Sequence, residues 1–269
     1  MKFTAVKLFL RQAAVPICRA IMSVFSRPYE LPSAPTLILA PHQDDETLAC
    51  GALIAHARHA GHEVHVVFLT DGGASHPGHP SLTVGELICL RHQEALAALE
   101  ILGVDSACVQ FWNERDGTLN TLTPARRDAL ITRLAALLHT IKPGRLLVPC
   151  CPDGSSEHDP VLGLAQAAAA QAEHHPEIWQ YPVWCWWNPL LLLSKIFFQG
   201  GIHRLPGAEF HARKQKALRC YHTQIESIAP GLSPSVPPEL REFCLKDSEY
   251  FFRTNPGPTP SLRRARSTK

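Results

Sequence analysis

The chain has 269 residues, of which 45% are hydrophobic and 19% charged, a composition that argues against an intrinsically disordered protein. This length is within the range of a single α/β domain with extensions. The formal charge of +2 is too small to indicate a nucleic-acid partner, and nine cysteines without a CxxC pair fit reduced thiols in the cytoplasm.

The first segment, residues 1–30, carries five basic side chains against one acid, Glu30. Apolar residues recur there at spacings of three and four from Phe3 to Val24, as on one face of a helix, although Pro16 interrupts the pattern. A signal peptide or a membrane span would need a longer uncharged stretch. We therefore expect a basic amphipathic helix that either lies on a membrane surface, at its cytoplasmic face, or docks on the domain's own flank.

Strands alternate with helices along most of the chain. The regular part predicts, in order, strand 36–40, helix 47–60, strand 64–70, helix 84–102, strand 106–112, helix 124–141, strand 145–150 and helix 160–174. A strand 178–187 and helices 208–223 and 238–246 are predicted beyond it. This alternation predicts an α/β fold with a mostly parallel sheet and helices on both faces. One domain is assigned to residues 35–250, and residues 251–269, basic and rich in proline, are expected to be a disordered tail.

Polar loops follow four of the predicted strands, where ligands bind in open parallel sheets. The first loop, residues 41–46, contains His42, Asp44 and Asp45. Helix capping would explain one or two carboxylates but not the imidazole beside them. The fourth loop, residues 151–159, supplies His158, a natural third ligand for zinc. Gly51 stands alone where a dinucleotide-binding loop would need three glycines.

The run Ala40-Pro41-His42-Gln43-Asp44-Asp45-Glu46 resembles the signature of the PIG-L/LmbE-like N-acetylglucosaminyl deacetylases, usually written A-H-P-D-D-E. Residues 153–158 resemble that family's second signature, D-G-H-P-D-H, and the resemblance covers roughly residues 35–225. It implies a Rossmann-like sheet and a Zn²⁺ enzyme that removes N-acetyl groups from glucosamine-containing substrates. Carried over to this sequence, it implies that His42, Asp45 and His158 bind the metal and that Asp44 is the general base.

Two positions depart from the family pattern. Gln43 replaces a proline, and Ser155 replaces a histidine that is expected to assist the tetrahedral intermediate or protonate the amine. Glu157 stands where an aspartate usually supports that histidine. Either Asp44 both takes and delivers the proton, or another histidine enters the site, or activity is lost. The candidate histidines are His76, His79 and His222.

Other residues near these loops are expected to contact substrate. They are Arg91, Asp116, His76 and Ser155. The leading functional hypothesis is zinc-dependent removal of the acetyl group from an amino sugar in a glycan, a glycolipid or a precursor. The alternatives are a non-catalytic zinc- or sugar-binding relative, and a metal hydrolase acting on another amide or on a phosphate ester. The Asp44-Asp45 pair favours catalysis, and the lack of clustered Lys and Arg beside it disfavours phosphoryl transfer.

Overall fold

The computed structural model describes residues 2–188, 191–192, 194–195 and 201–254, with side chains from Ala14 onward, so the predicted tail from residue 255 lies outside the described residues. The strands are β1 Arg27–Pro28, β2 Thr36–Ala40, β3 Val64–Thr70, β4 Val109–Glu114, β5 Arg145–Pro149, β6 Glu177–Tyr181, β7 Ile202–Pro206 and β8 Ser248–Arg253. The helices are α1 Lys2–Phe25, α2 Asp45–His59, α3 Val84–Leu102, α4 Pro124–Ile141, α5 Asp159–Gln171, α6 His211–Leu218, α7 His222–Ile225 and α8 Pro238–Cys244.

All eight described strands form one sheet in the order β1-β7-β8-β6-β5-β2-β3-β4. Strands β2 to β6 pair in parallel, as does β1 with β7. Only β8, among the described strands, runs antiparallel to its neighbours β6 and β7. The predicted α/β class with a mostly parallel sheet is confirmed.

Helices cover both faces of the sheet, which explains why β2 is apolar at nearly every position. Leu37 and Leu39 pack with α4 and α5 on one face, and Ile38 and Ala40 pack with α1, α2, α3 and α6 on the other. All five residues of β2 are buried. A strand buried on both faces reads as a continuous apolar run rather than an alternating one.

The later part of the chain differs from the prediction. Strand β6 ends at Tyr181 instead of 187, and Trp184–Trp187 forms a 3₁₀ turn because the backbone N–H groups there donate to the Asp153 carboxylate. The predicted helix 208–223 is interrupted before Tyr221, whose ring enters the core. Strand β8 extends past residue 250, where the domain was predicted to end, because Phe251 and Phe252 are fully buried.

Helix α1 continues through Pro16, and its second half docks on the domain. Val15, Cys18 and Met22 are buried in the core, and Arg19 donates hydrogen bonds to the carbonyls of Phe243 (3.1 Å) and Ser248 (2.9 Å). No helix within the described ranges is long and apolar enough to span a bilayer. The docked alternative therefore holds for the second half of α1.

The outward side of the same helix is apolar as well, since Ile17, Val24 and Phe25 are 61%, 78% and 68% exposed. We predict that the full-length protein binds vesicles containing anionic lipid, and that added salt weakens binding because polybasic attraction is screened. Replacing these three residues with serine should weaken binding at least about tenfold, because each loses apolar area that the bilayer would bury. Vesicle co-sedimentation measures this.

Val84→Ser is the matched control, since Val84 is also 61% exposed but lies at the start of α3. Equal binding by wild type and the triple variant would contradict a membrane role for α1.

Candidate active site

The loops after β5, β2, β3 and β4, four neighbouring strands, meet at one edge of the sheet. They surround a cavity of about 250 Å³. Its polar lining comprises His42, Asp44, Asp45, Ser75, Arg91, Asp116, Ser155 and Ser235, and its apolar wall includes Val183, Trp184, Val236 and Leu240. The parallel sheet thus gathers side chains that are far apart in the sequence.

The three predicted metal ligands come together at this cavity. His42, Asp45 and His158 each offer a ligand atom, and these atoms lie within 4.8 Å of one another. Asp45 Oδ2 lies 3.4 Å from His42 Nδ1 and 3.3 Å from His158 Nε2. The arrangement matches the set of three protein ligands that catalytic zinc usually takes.

The hydrogen bonds of the two imidazoles fit a metal between them. His158 donates from Nδ1 to Asp153 (2.7 Å), and its buried Nε2 has no hydrogen-bond partner. His42 donates from Nε2 to Asp116 (3.2 Å), which leaves Nδ1 facing Asp45. Histidine ligands typically donate their second ring N–H to a carboxylate in this way. The residues present therefore fit a divalent metal.

A second group, His42, Asp116 and Glu157, also brings ligand atoms within 4.8 Å. Both carboxylate oxygens of Glu157 are used in hydrogen bonds, since they accept the backbone N–H groups of Gly117 (3.2 Å) and Leu119 (3.0 Å). This carboxylate fixes the loop that carries Asp116. The group containing the unpartnered nitrogen of His158 is the better candidate for the metal.

Asp153 is the supporting residue that the sequence analysis did not single out. Besides the His158 ring, its fully buried carboxylate accepts the backbone N–H groups of Val183, Trp184 and Cys185. It joins a metal-ligand candidate to the wall of the cavity. Its place as the first residue of the second signature was the available signal.

The two adjacent aspartates have different surroundings. Asp45 Oδ2 accepts the backbone N–H of His42 (2.9 Å) and faces both imidazoles, whose charges hold the pKa of Asp45 well below its usual value despite burial. Asp44 lies at the start of α2, yet its side chain caps no helix N–H. Burial and then the charge of Asp45 raise the pKa of Asp44 to about 6. Asp44 is thus the carboxylate whose oxygens remain available for a proton.

Arg91 brings a cation to the cavity from α3. Only 2% of it is exposed, and it donates to the carbonyl of Gly72 (3.1 Å) and to the side chain of Gln224 (2.9 Å). Gly72 has φ +69°, and a Cβ there would lie 2.5 Å from Arg91 Nε. Glycine is therefore required for this close approach.

Gln43, where the family has proline, donates to the Thr70 carbonyl (2.7 Å) and so ties its loop to β3.

Three histidines were considered as substitutes for the family histidine that Ser155 replaces. None of them is among the described residues that line the cavity. His76 is buried beside Ser75, with Nδ1 and Oγ 3.1 Å apart. His79 donates to the Ile228 carbonyl (3.2 Å), and His222 is exposed beside Glu226. Ser155 itself lines the cavity, where its hydroxyl accepts the Glu157 N–H (3.3 Å).

This placement predicts a small effect for Ser155→Ala. A hydroxyl can donate one hydrogen bond to a developing oxyanion but cannot act as an acid near neutral pH. The variant should lose at most about 1–3 kcal/mol of transition-state stabilisation, measured as kcat/KM, with unchanged metal content. A loss as deep as that of an Asp44 variant would make the serine a direct participant in the chemistry.

Comparison with solved structures shows the fold. The chain resembles the 4-carboxy-2-hydroxymuconate hydratase GalB from Pseudomonas putida KT2440, with 18% identity, a TM-score of 0.63 and coverage of 85% of this chain and 99% of that one. It resembles the N,N'-diacetylchitobiose deacetylase from Pyrococcus horikoshii, with 21% identity, a TM-score of 0.56 and coverage of 78% and 77%. The zinc-inhibited form of the teicoplanin deacetylase Orf2 has 16% identity, a TM-score of 0.57 and coverage of 82% and 97%.

No curated protein matches the sequence significantly. The model of the PIG-L family, described as GlcNAc-PI de-N-acetylase, matches residues 37–169. This segment runs from β2 through most of α5 and includes both loops that carry the His42, Asp45 and His158 group. The chain is therefore similar to the PIG-L family over 133 of its 269 residues.

Proposed function

We propose that this protein is a zinc-dependent hydrolase that removes the N-acetyl group from an N-acetylglucosamine-type amino sugar in a glycan, a glycolipid or a precursor. The observation that carries the proposal is the pairing, at one cavity, of the Asp44 carboxylate with a His/Asp/His group. The Asp44 side chain caps no helix N–H. The match of residues 37–169 to the PIG-L family model supports deacetylation as the reaction.

His42, Asp45 and His158 would hold the zinc. When bound, zinc supplies a Lewis acid that polarises the amide carbonyl and lowers the pKa of water. Asp153 and Asp116 position the imidazoles of His158 and His42 by accepting their second N–H groups. Held in this way, each ring presents its other nitrogen towards Asp45.

Asp44 takes the proton from the attacking water. Because position 155 has no imidazole and His76, His79 and His222 do not line the cavity, Asp44 also delivers that proton to the leaving amine. The same carboxylate therefore serves as base in the first step and as acid in the second. Ser155 donates a hydrogen bond to the carbonyl oxygen as charge develops there.

Arg91 and Asp116 line the cavity and provide a cation and an anion for sugar hydroxyls. Trp184 and Leu240 belong to the apolar wall of the same cavity, against which the face of a sugar ring packs. In the loop after β3, Ser75 lines the cavity and would contact the substrate, in place of its neighbour His76.

The test is release of free amine from a panel of N-acetylated compounds by zinc-loaded protein. N-acetylglucosamine derivatives should be hydrolysed, and N-acetyl amino acids of similar size should not, because they lack hydroxyls for Arg91 and Asp116. Zinc is titrated from none to excess, since one structural relative was solved in a zinc-inhibited form. Hydration of an unsaturated acid without amine release would favour the reaction named for GalB instead. Zinc-loaded protein that hydrolyses no N-acetylated sugar would favour a binding protein.

A further inference from the structure

A second cluster of metal-binding side chains lies at the opposite edge of the sheet, where β3 and β4 begin. Glu63, His65 and Cys108 place one carboxylate oxygen, one imidazole nitrogen and the thiol within 4.8 Å of one another. We propose that these three residues bind a zinc-class divalent cation at a site separate from the cavity around Asp45.

Strand register brings the three side chains to one face. Val66 pairs with Val109, so the residues immediately before them, His65 and Cys108, are neighbours across the two parallel strands. Glu63 precedes His65 by two residues, and side chains two apart on an extended chain point the same way. The cluster is therefore built by the backbone of the sheet rather than by a chance meeting of long side chains.

The donor set suits zinc. Thiolate, imidazole and carboxylate are the ligand types that zinc takes. His65 Nε2 lies 2.8 Å from Glu63 Oε1. Two such ligands of a tetrahedral zinc are about 3.4 Å apart, so the carboxylate needs to move by only about half an ångström.

The local charges favour a cation as well. A second carboxylate, that of Asp105, acts on the Cys108 thiol together with that of Glu63. The Arg58 guanidinium donates to the carbonyls of Gly103 (2.7 Å) and His62 (2.9 Å), and its single positive charge offsets only part of these two carboxylates.

The site is distant from the proposed reaction centre. His65 precedes Thr70, the last residue of β3, by five residues, or roughly 16 Å along a strand. Among the described strands, β4 is the last of the sheet at this side. A metal held by Cys108 and His65 would therefore tie the edge strand to its neighbour, and it would stabilise the fold without contacting substrate.

The test uses Co²⁺ bound to metal-free, full-length protein under reducing conditions. A thiolate ligand gives a charge-transfer band in the near ultraviolet, and the proposed catalytic ligands include no sulfur. Wild type should show this band, and Cys108→Ser should lose it. His65→Gln should weaken the Co²⁺ binding that produces the band at least about tenfold. Cys89→Ser, which removes an exposed thiol on α3, is the matched control and should keep the band.

His158→Ala should also keep the band, because the two sites are separate. Zinc stoichiometry should fall from two per chain in wild type to one in Cys108→Ser and to one in His158→Ala. If the group of His42, Asp45 and His158 binds no zinc, one zinc per chain should remain, and it should disappear on Cys108→Ser. Absence of a thiolate band in wild type, or a band that survives Cys108→Ser, would overturn the second site.

Discussion

Asp44→Asn should retain bound zinc and lower kcat by a factor of about a hundred or more, the scale of a lost general base. The amide is nearly the same size as the carboxylate but cannot take a proton from water. Asp44 caps no helix N–H, so the substitution removes no hydrogen bond that holds α2. Zinc content by atomic absorption and kcat on the best N-acetylated sugar measure the two effects separately.

Asp45→Asn is the matched control one residue along. Asp45 accepts the His42 N–H and faces both imidazoles, so this variant should weaken zinc binding itself. Added zinc should then recover part of its activity, but none of the activity lost in Asp44→Asn. If Asp44→Asn strips the metal while Asp45→Asn retains it, the two roles are assigned the wrong way round.

Asp153→Ala is expected to damage both the metal site and the fold. The variant frees the His158 ring, and loss of such a supporting carboxylate typically costs 10–100-fold in metal affinity. It also leaves the buried N–H groups of Val183 and Cys185 without an acceptor, at about 1–3 kcal/mol each. Zinc competition titration and urea unfolding of the metal-free protein measure the two losses.

Asp128→Ala serves as the control, because Asp128 is an exposed aspartate on α4. It should change neither quantity. Wild-type zinc affinity in Asp153→Ala would mean that His158 needs no support, and it would argue against His158 as a ligand.

The regular half of the fold could be predicted because its signals are local. Strands β2 and β3 are continuous apolar runs, and α3 and α4 begin at threonine caps whose side chains accept a helix N–H, so their bounds agree with the prediction. Strands β7 and β8 were missed because they depend on long-range pairing. Ile202 to Pro206 alternates weakly, and its partner strand begins some forty residues later at Ser248.

The residues of the candidate site could be predicted where two signatures mark them, but their surroundings could not. Neither periodicity nor spacing indicates that Asp153 reaches the backbone at Cys185, thirty-two positions away. The same holds for Gln224, whose side-chain oxygen accepts a hydrogen bond from Arg91. One of the three alternatives for the histidine missing at Ser155 was another histidine, but His76, His79 and His222 are absent from the described lining of the cavity. Their loops turn His79 towards Ile228 and His222 towards solvent.

The most direct test of the proposed function is acetate release by three protein samples. These are wild type made metal-free by chelation, wild type restored with two equivalents of zinc, and Cys108→Ser restored with zinc. We predict no release without metal, full release after zinc is restored, and unchanged turnover in the Cys108 variant once its catalytic site is loaded. Acetate release from an N-acetylglucosamine substrate by protein shown to be free of metal would contradict zinc-dependent hydrolysis at His42, Asp45 and His158.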